Sequence, residues 1–167
     1  MKEIILLKQG EMVLKGLNRR GFEEKMMGNA KRRLKKYGSF KVYTRQSATY
    51  VEPLDDACDF EGAWTAMGKL FGAVGVCRAR ACPKDRDAIV QCAVDYLGDK
   101  LSSARSFKVE SKRADKSFPM TSIQLSQYVG GELHDRFPHL AADMHHPELT
   151  VHVEVRDFDA YLHADPE

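Results

Sequence analysis

Residues 18–38 read NRRGFEEKMMGNAKRRLKKYG, and this stretch decides how the first half of the chain folds. Starting at Phe22, four apolar residues follow one another at a spacing of four, which places them on one face of an α-helix. Asn18 is a favourable N-cap, and Gly38 is a favourable residue just after a helix end. The stretch therefore predicts a helix over residues 18–37 whose opposite face is basic.

Strand-like segments flank this helix in a definite order. A short apolar run precedes it at residues 3–8, and two β-type runs follow it at residues 40–44 and 48–52. A second helical segment at residues 55–70 contains the only Trp, and a further strand is predicted at residues 74–81. The resulting order, βαββαβ, is that of the ferredoxin-like split arrangement.

The sequence PKDRD at residues 83–87 interrupts this pattern and is the predicted entry to a second domain. The chain is thus predicted to be an α+β protein with a boundary near residue 80. The elements predicted after the interruption are, in order, a helix over 87–101, a strand over 106–112, a helix opening at Thr121, a strand over 149–156 and a strand over 160–163.

Local patterns refine two of these later elements. Thr121 and Gln124 have the spacing of a capping box, in which each side chain bonds the backbone N–H of the other residue. Gly130 and Gly131 each lower helix stability by about 1 kcal/mol relative to Ala, which suggests close packing against another backbone. Strict alternation over residues 149–156 predicts a strand with one buried face and one solvent face.

Charge is distributed unevenly along the chain, although the formal net charge is only +2. Residues 1–45 hold 13 Lys and Arg against 4 Asp and Glu, and residues 105–118 hold 5 against 2. Residues 46–104 and 119–167 are both acidic on balance. Two basic segments separated by acidic ones indicate a polarised surface that attracts polyanions, with nucleic acid as the leading partner class. The alternative is an ordinary solvated charged face.

Several classes of function lack their sequence signatures. The four Cys form no CxxC pair and are expected to be free thiols, and His145-His146-Pro147 is expected to be a polar turn and not a metal site. No nucleotide-binding, kinase or hydrolase motif occurs, so a binding module is favoured over an enzyme. No apolar run reaches the roughly 20 residues needed to cross a bilayer, which predicts neither membrane insertion nor export.

The turn after the strand at residues 106–112 is the main candidate binding site. Backbone N–H groups at a helix start, together with nearby cations, can hold a phosphate. Phe118 is a candidate to stack on an unpaired base, although a Phe beside Pro119 also fits a packing staple. The residues of this candidate site are Lys112, Arg113, Lys116, Phe118, Thr121 and Ser122.

A second candidate surface is the basic face of the first helix and the segment before it. Cations on one helix face are compatible with backbone contacts to a duplex or stem of nucleic acid. The candidate residues here are Lys15, Arg19, Arg20 and Arg33.

Four blocks of sequence resemble the ThiI family of tRNA sulfurtransferases, which make 4-thiouridine. They are GEMVLKGLNRR at residues 10–20, FKVESKRADK at 107–116, YVGG at 128–131 and PELTVHVEVR at 147–156. The resemblance covers essentially the whole chain. It implies a ferredoxin-like domain over residues 1–80 and a THUMP RNA-binding domain over residues 81–167, which in this family grips the single-stranded CCA end of tRNA.

The same resemblance carries further expectations about activity and partners. The family's ATP-binding SGGxDS motif and its sulfur-carrying Cys do not occur in this sequence, so no catalytic residue, no metal and no cofactor is assigned to it. ATP is expected only in a catalytic domain that this sequence lacks. The resemblance implies tRNA and a cysteine desulfurase as partners, a cytoplasmic location and a link to thiamine biosynthesis, and it is compatible with a homodimer.

Departures from the family pattern and two alternatives stay open at this point. His146 replaces an Asn that family members commonly have before the Pro, and Gln9 replaces an aromatic or apolar residue, which leaves local loop contacts unassigned. One alternative is the THUMP module of an RNA methylase or pseudouridine synthase, against which the block at residues 10–20 argues. The other is a protein-interaction module that binds no RNA.

Overall fold

The computed structural model describes residues 3–8, 19–45, 48–71 and 75–164. Helices and strands are both present within these ranges, which confirms the predicted α+β class. The chain folds as two units, and the division falls between Arg78 and Ala79, inside a strand.

The described residues of the first unit form two helices and four strands in the predicted βαββαβ order. Its strands are arranged β2-β3-β1-β4, and β3 is antiparallel to both of its neighbours. This interleaved order is that of a ferredoxin-like fold. The elements are β1 (Glu3–Lys8), α1 (Arg19–Leu34), β2 (Phe40–Arg45), β3 (Ala48–Pro53), α2 (Phe60–Phe71) and the first residues of β4 (Val76–Cys82).

Both helices bury one apolar face against the sheet. Met26, Ala30 and Leu34 of α1 lie in the core with Ile5 of β1, as the four-residue spacing predicts. Phe22, the first residue of that predicted face, has a side chain outside the described part of the structure. Each large side chain buried in this way stabilises the fold by roughly 1.5–3 kcal/mol relative to an exposed one.

Gly38 marks the turn after α1, which ends three residues before the predicted position. The φ angle of Gly38 is +129°, a conformation that side chains with a Cβ rarely adopt. A Cβ at this position would also lie 2.9 Å from the Cα of Cys58. Backbone conformation and space therefore both require glycine here.

The second helix begins five residues later than the sequence predicts, at Phe60 and not at residue 55. Asp55 closes a turn because its Oδ1 accepts a hydrogen bond from Ala57 N at 2.9 Å. Asp59 then starts the helix, since its Oδ1 accepts from Gly62 N at 3.0 Å. Acidic residues before a helix serve turns and caps as readily as the first helical turn, and the sequence did not separate these roles.

The second unit places two long helices on a mixed sheet with strand order β4-β8-β7-β5-β6. β5 is parallel to both of its neighbours, whereas β7 and β8 are antiparallel. Its elements after β4 are α3 (Arg86–Ser103), β5 (Ser106–Arg113), α4 (Ser122–Arg136), β6 (Ala141–Ala142), β7 (Leu149–Val155) and β8 (Ala160–Ala164).

The start of α4 confirms the predicted capping box, but its two glycines do not have the predicted role. Thr121 Oγ1 accepts from Gln124 N at 3.1 Å, and Gln124 Oε1 accepts from Thr121 N at 2.9 Å. A Cβ added at Gly130 would meet only a Val109 methyl at 3.8 Å, and one at Gly131 would meet nothing within 4 Å. The prediction of close backbone packing at these glycines is therefore wrong.

Strand β7 is buried on both faces, which corrects the prediction of a solvent face. Val151 and Val153 lie in the core with α3 and α4, as the alternation predicts. On the opposite face Glu154 is only 3% exposed. His163 Nε2 lies 2.8 Å from one Glu154 carboxylate oxygen, and Arg156 Nη2 donates to the other at 2.6 Å. Polar side chains at alternate positions of β7 thus pair with one another and with the neighbouring strand β8, and Glu154 and His163 of this network are buried.

The contrast between two glycines tests this description of the first unit. We expect Gly38→Ala to destabilise the protein markedly, because it combines a strained φ with contact against the Cys58 backbone. Gly68→Ala is the matched control, since it lies in the interior of α2 with nothing within 4 Å of the added Cβ. Helix propensity predicts that this variant is more stable by about 1 kcal/mol.

Urea unfolding of the two variants measures the difference. The midpoint should fall for Gly38→Ala and rise for Gly68→Ala. A Gly38→Ala protein as stable as the parent would contradict the described turn.

Candidate nucleic-acid interface

The predicted basic turn lies between β5 and α4. Hydrogen bonds from Arg113 stabilise the conformation of this turn. Arg113 Nη1 donates to the Phe118 carbonyl at 3.2 Å and to the Met120 carbonyl at 3.4 Å. The guanidinium therefore spans the turn from its first residue to its last. Arg113 has a structural role in the turn in addition to its charge, and charge patterning alone gives no sign of this.

Asp115 organises the centre of the same turn. Its Oδ1 accepts from Ser117 N at 3.0 Å and from Ser117 Oγ at 2.6 Å, while its Oδ2 accepts from Lys84 Nζ at 2.5 Å. The ammonium of Lys84, followed by the Ser117 donors, lowers the pKa of Asp115 to about 2. The N–H of Asp115 and that of the preceding residue both point at the Val155 carbonyl, which fixes the turn to the end of β7.

The start of α4 offers backbone donors beside this turn. The capping box uses the N–H groups of Thr121 and Gln124. In the described part of the chain, the N–H groups of Ser122 and Ile123 are the first donors of α4 and have no carbonyl partner within the helix. A helix start carries about half a positive charge, so these two N–H groups can donate hydrogen bonds to a bound anion.

Lys112 and Arg113 lie on opposite faces of β5, so the predicted site does not bring both cations to one phosphate. Ser111 Oγ lies 2.9 Å from Ser126 Oγ of α4, so the odd-numbered residues of β5 face the helices. Lys112 is on the other face, in register with Glu154 of β7. Lys116 is exposed on the turn itself, five residues before the N-cap Thr121.

Phe118 is a core residue. Its side chain is 6% exposed and packs in the same cluster as Leu125 and Val155. The ring therefore has no accessible face for stacking, and the packing-staple interpretation describes what the structure shows.

An exposed aromatic ring does lie near the turn, on the connection between β7 and β8. Phe158 is 67% exposed. The residue before it, Asp157, accepts a hydrogen bond through its carbonyl from Lys84 Nζ at 2.7 Å, the same ammonium that binds Asp115. Sequence reasoning missed Phe158 because two Asp flank it in an acidic segment. The available signal was a large apolar side chain in a tight turn, where burial is uncommon.

The cations of the first helix are described only in part. Arg19 and Arg20 begin α1, but their side chains lie outside the described part of the structure, as does the whole of Lys15. Arg33 is exposed in the last turn of α1, next to the exposed Lys31 and Arg32. Basic residues in a last turn also stabilise the helix through its dipole, so this position has a structural use as well.

The cysteines and histidines show no sign of a metal centre. The four Cys are unbridged thiols. The hydrogen bond with Cys92, followed by burial, raises the pKa of the Cys82 thiol. In the described ranges no three His, Cys, Asp or Glu side chains come together as metal ligands. Asp143 accepts from the N–H groups of His145 and His146 and so forms the predicted polar turn.

None of the helices in the described part of the chain combines the length and the apolar character that a membrane span requires.

Comparisons with known proteins agree with the two units. Residues 4–77 match the ThiI ferredoxin-like domain, and residues 83–165 match the THUMP domain. A probable tRNA sulfurtransferase of Acetivibrio thermocellus is 37% identical over 99% of this chain. The chain spans 42% of the length of that relative.

Two solved structures share the fold at low sequence identity. A 4-thiouridine synthetase in complex with RNA and ATP aligns with a TM-score of 0.78 at 22% identity, over 99% of this chain and 41% of that one. PH1313 from Pyrococcus horikoshii aligns with a TM-score of 0.81 at 18% identity, over 98% of this chain and 54% of that one. Together, the matched domains and the relatives show that the chain belongs to the ThiI-type tRNA sulfurtransferase family, of which it carries the ferredoxin-like and THUMP domains.

Proposed function

We propose that this chain is the tRNA-binding region of a tRNA sulfurtransferase, and that its THUMP domain grips the 3′ CCA end. The observation that carries the proposal is the pairing of a ThiI ferredoxin-like domain with a THUMP domain in one chain. That pairing also favours a sulfurtransferase over the methylase and pseudouridine synthase alternatives, since residues 4–77 match the ThiI ferredoxin-like domain.

The turn at residues 113–120 supplies the chemistry of the proposed grip. Lys116 provides an exposed ammonium and the start of α4 provides two backbone N–H groups, a combination suited to one phosphate. Arg113 keeps the turn closed and contributes its charge nearby. The exposed ring of Phe158 is suitable for stacking on a base of the single-stranded end.

The rest of the proposed activity belongs to the whole protein. A catalytic domain, with ATP as its cofactor, transfers sulfur to a uridine of the bound tRNA, and a cysteine desulfurase supplies the sulfur. This chain positions the tRNA and supplies no reacting group. A cytoplasmic location, a role in sulfur supply to thiamine biosynthesis and a homodimeric assembly are further parts of this proposal.

Electrostatic binding predicts a strong dependence on salt. We expect the affinity for tRNA to fall by at least about tenfold between about 50 mM and about 200 mM salt, because each neutralised phosphate releases a counterion. Fluorescence anisotropy with end-labelled tRNA measures this slope. Equal affinity at both concentrations would contradict binding through the basic segments.

Single substitutions test the proposed grip. Lys116→Ala should weaken tRNA binding by about tenfold, since a charge-assisted contact is worth roughly 1.5–3 kcal/mol. The matched control is Lys69→Ala, an exposed lysine in the last turn of α2 and outside both candidate surfaces. Both substitutions lie at exposed positions. The free energy of unfolding of each variant should therefore lie within about 0.5 kcal/mol of that of the parent.

Removal of the CCA end assigns the contact. The loss caused by Lys116→Ala should disappear on tRNA without CCA, because the variant and the shortened RNA lack the same interaction. The loss caused by Arg33→Ala should persist, since α1 is proposed to contact another part of the tRNA. If the losses of affinity caused by Lys116→Ala and by CCA removal were fully additive, Lys116 would not contact the CCA end.

A further inference from the structure

Asp115 presents an electrostatic difficulty for a phosphate-binding turn. It is one residue away from Lys116 and lies on the turn that leads to the start of α4. Its low pKa keeps it ionised at every physiological pH. An unneutralised carboxylate here would repel an incoming phosphate and would offset the charge of Lys116.

Lys84, which lies outside the turn, neutralises the Asp115 carboxylate. Its ammonium forms an ion pair with Asp115 at 2.5 Å, and the two side chains are only 24% and 17% exposed. The other Asp115 oxygen is already occupied by the two Ser117 donors. Lys84 precedes Asp115 by 31 residues, so local sequence gives no indication of the pair.

The same ammonium joins two turns of the second unit. Besides binding Asp115, Lys84 Nζ donates to the Asp157 carbonyl at 2.7 Å. That carbonyl belongs to the connection between β7 and β8, which is closed by a bond from Arg156 N to the Asp159 carbonyl. Lys84 therefore ties the basic turn to the neighbouring connection that presents Phe158.

We propose that Lys84 is a positioning residue for RNA binding, which keeps the basic turn able to accept a phosphate by neutralising Asp115. This inference rests on the proposed function, because it concerns the same turn. Lys84 acts through Asp115 and the turn and does not itself contact the RNA phosphate. Its ammonium is already engaged by a carboxylate and a carbonyl.

Three variants distinguish the effect of the Lys84 charge from a purely structural effect of its side chain. Lys84→Met keeps the apolar stem but leaves Asp115 with an uncompensated charge, so RNA binding should weaken by about tenfold, as for loss of one charge-assisted contact. Lys84→Met combined with Asp115→Asn restores a neutral pair and should recover most of the lost affinity. Lys84→Arg keeps the charge and should bind nearly as well as the parent.

The experiment measures anisotropy of a labelled single-stranded RNA ending in CCA, and of tRNA, at two salt concentrations, with urea unfolding of each variant in parallel. The matched control is Lys69→Met, which removes an exposed lysine outside the turn and should leave binding unchanged. NMR titration of the Asp115 carboxyl gives a readout that needs no RNA. Its pKa should rise towards the ordinary value in Lys84→Met.

The outcomes distinguish this inference from the proposed function. If the parent binds RNA, Lys84→Met binds weakly and the double variant recovers, Lys84 acts through the charge of Asp115. If the parent binds RNA but the double variant stays as weak as Lys84→Met, Lys84 is only a structural tie and the inference is rejected. If the parent protein binds neither the single-stranded CCA RNA nor tRNA, the proposed function fails and the inference fails with it.

Discussion

The parallel ladder between β5 and β7 is the constraint on which the second unit depends. It pairs Phe107 with Leu149 at one end and Arg113 with Val155 at the other, without a bulge. Because both strands end together, the turn after β5 starts beside the connection after β7. The carbonyl of Val155 then receives two N–H groups of that turn. The position of the candidate interface is therefore a consequence of strand register.

Strand β7 also carries buried polar groups. It has strands on both sides, and side chains of these strands line the same face. Glu154 is buried and takes partners from β8 and from the residue two places further on. A buried carboxylate with one partner removed is costly, whereas a fully paired one is tolerated. The polar face of β7 is thus an internal network.

Local sequence predicted the elements well and the roles of single side chains less well. The capping box at Thr121 and the apolar face of α1 depend on residues three or four apart, so their spacing is sufficient to predict them. The burial of Phe118 and the carbonyl contacts of Arg113 depend on how the turn closes. The pairing of Lys84 with Asp115 depends on tertiary structure, which spacing does not encode. Alternation along β7 predicted two chemically different faces, but it contained no information on whether the polar face meets water.

The internal hydrogen bonds of the turn at residues 113–120 have a thermodynamic consequence. Arg113, Asp115 and the capping box order this segment before any ligand arrives. Ordering a flexible side chain on binding costs about 0.5–1.5 kcal/mol, and a preorganised turn avoids much of that cost. If an RNA end binds at this turn, as proposed, the RNA loses conformational entropy on binding while the protein loses little. Affinity then depends chiefly on how well the RNA end fits a fixed surface, and discrimination between RNA ends should appear mainly in their dissociation rates.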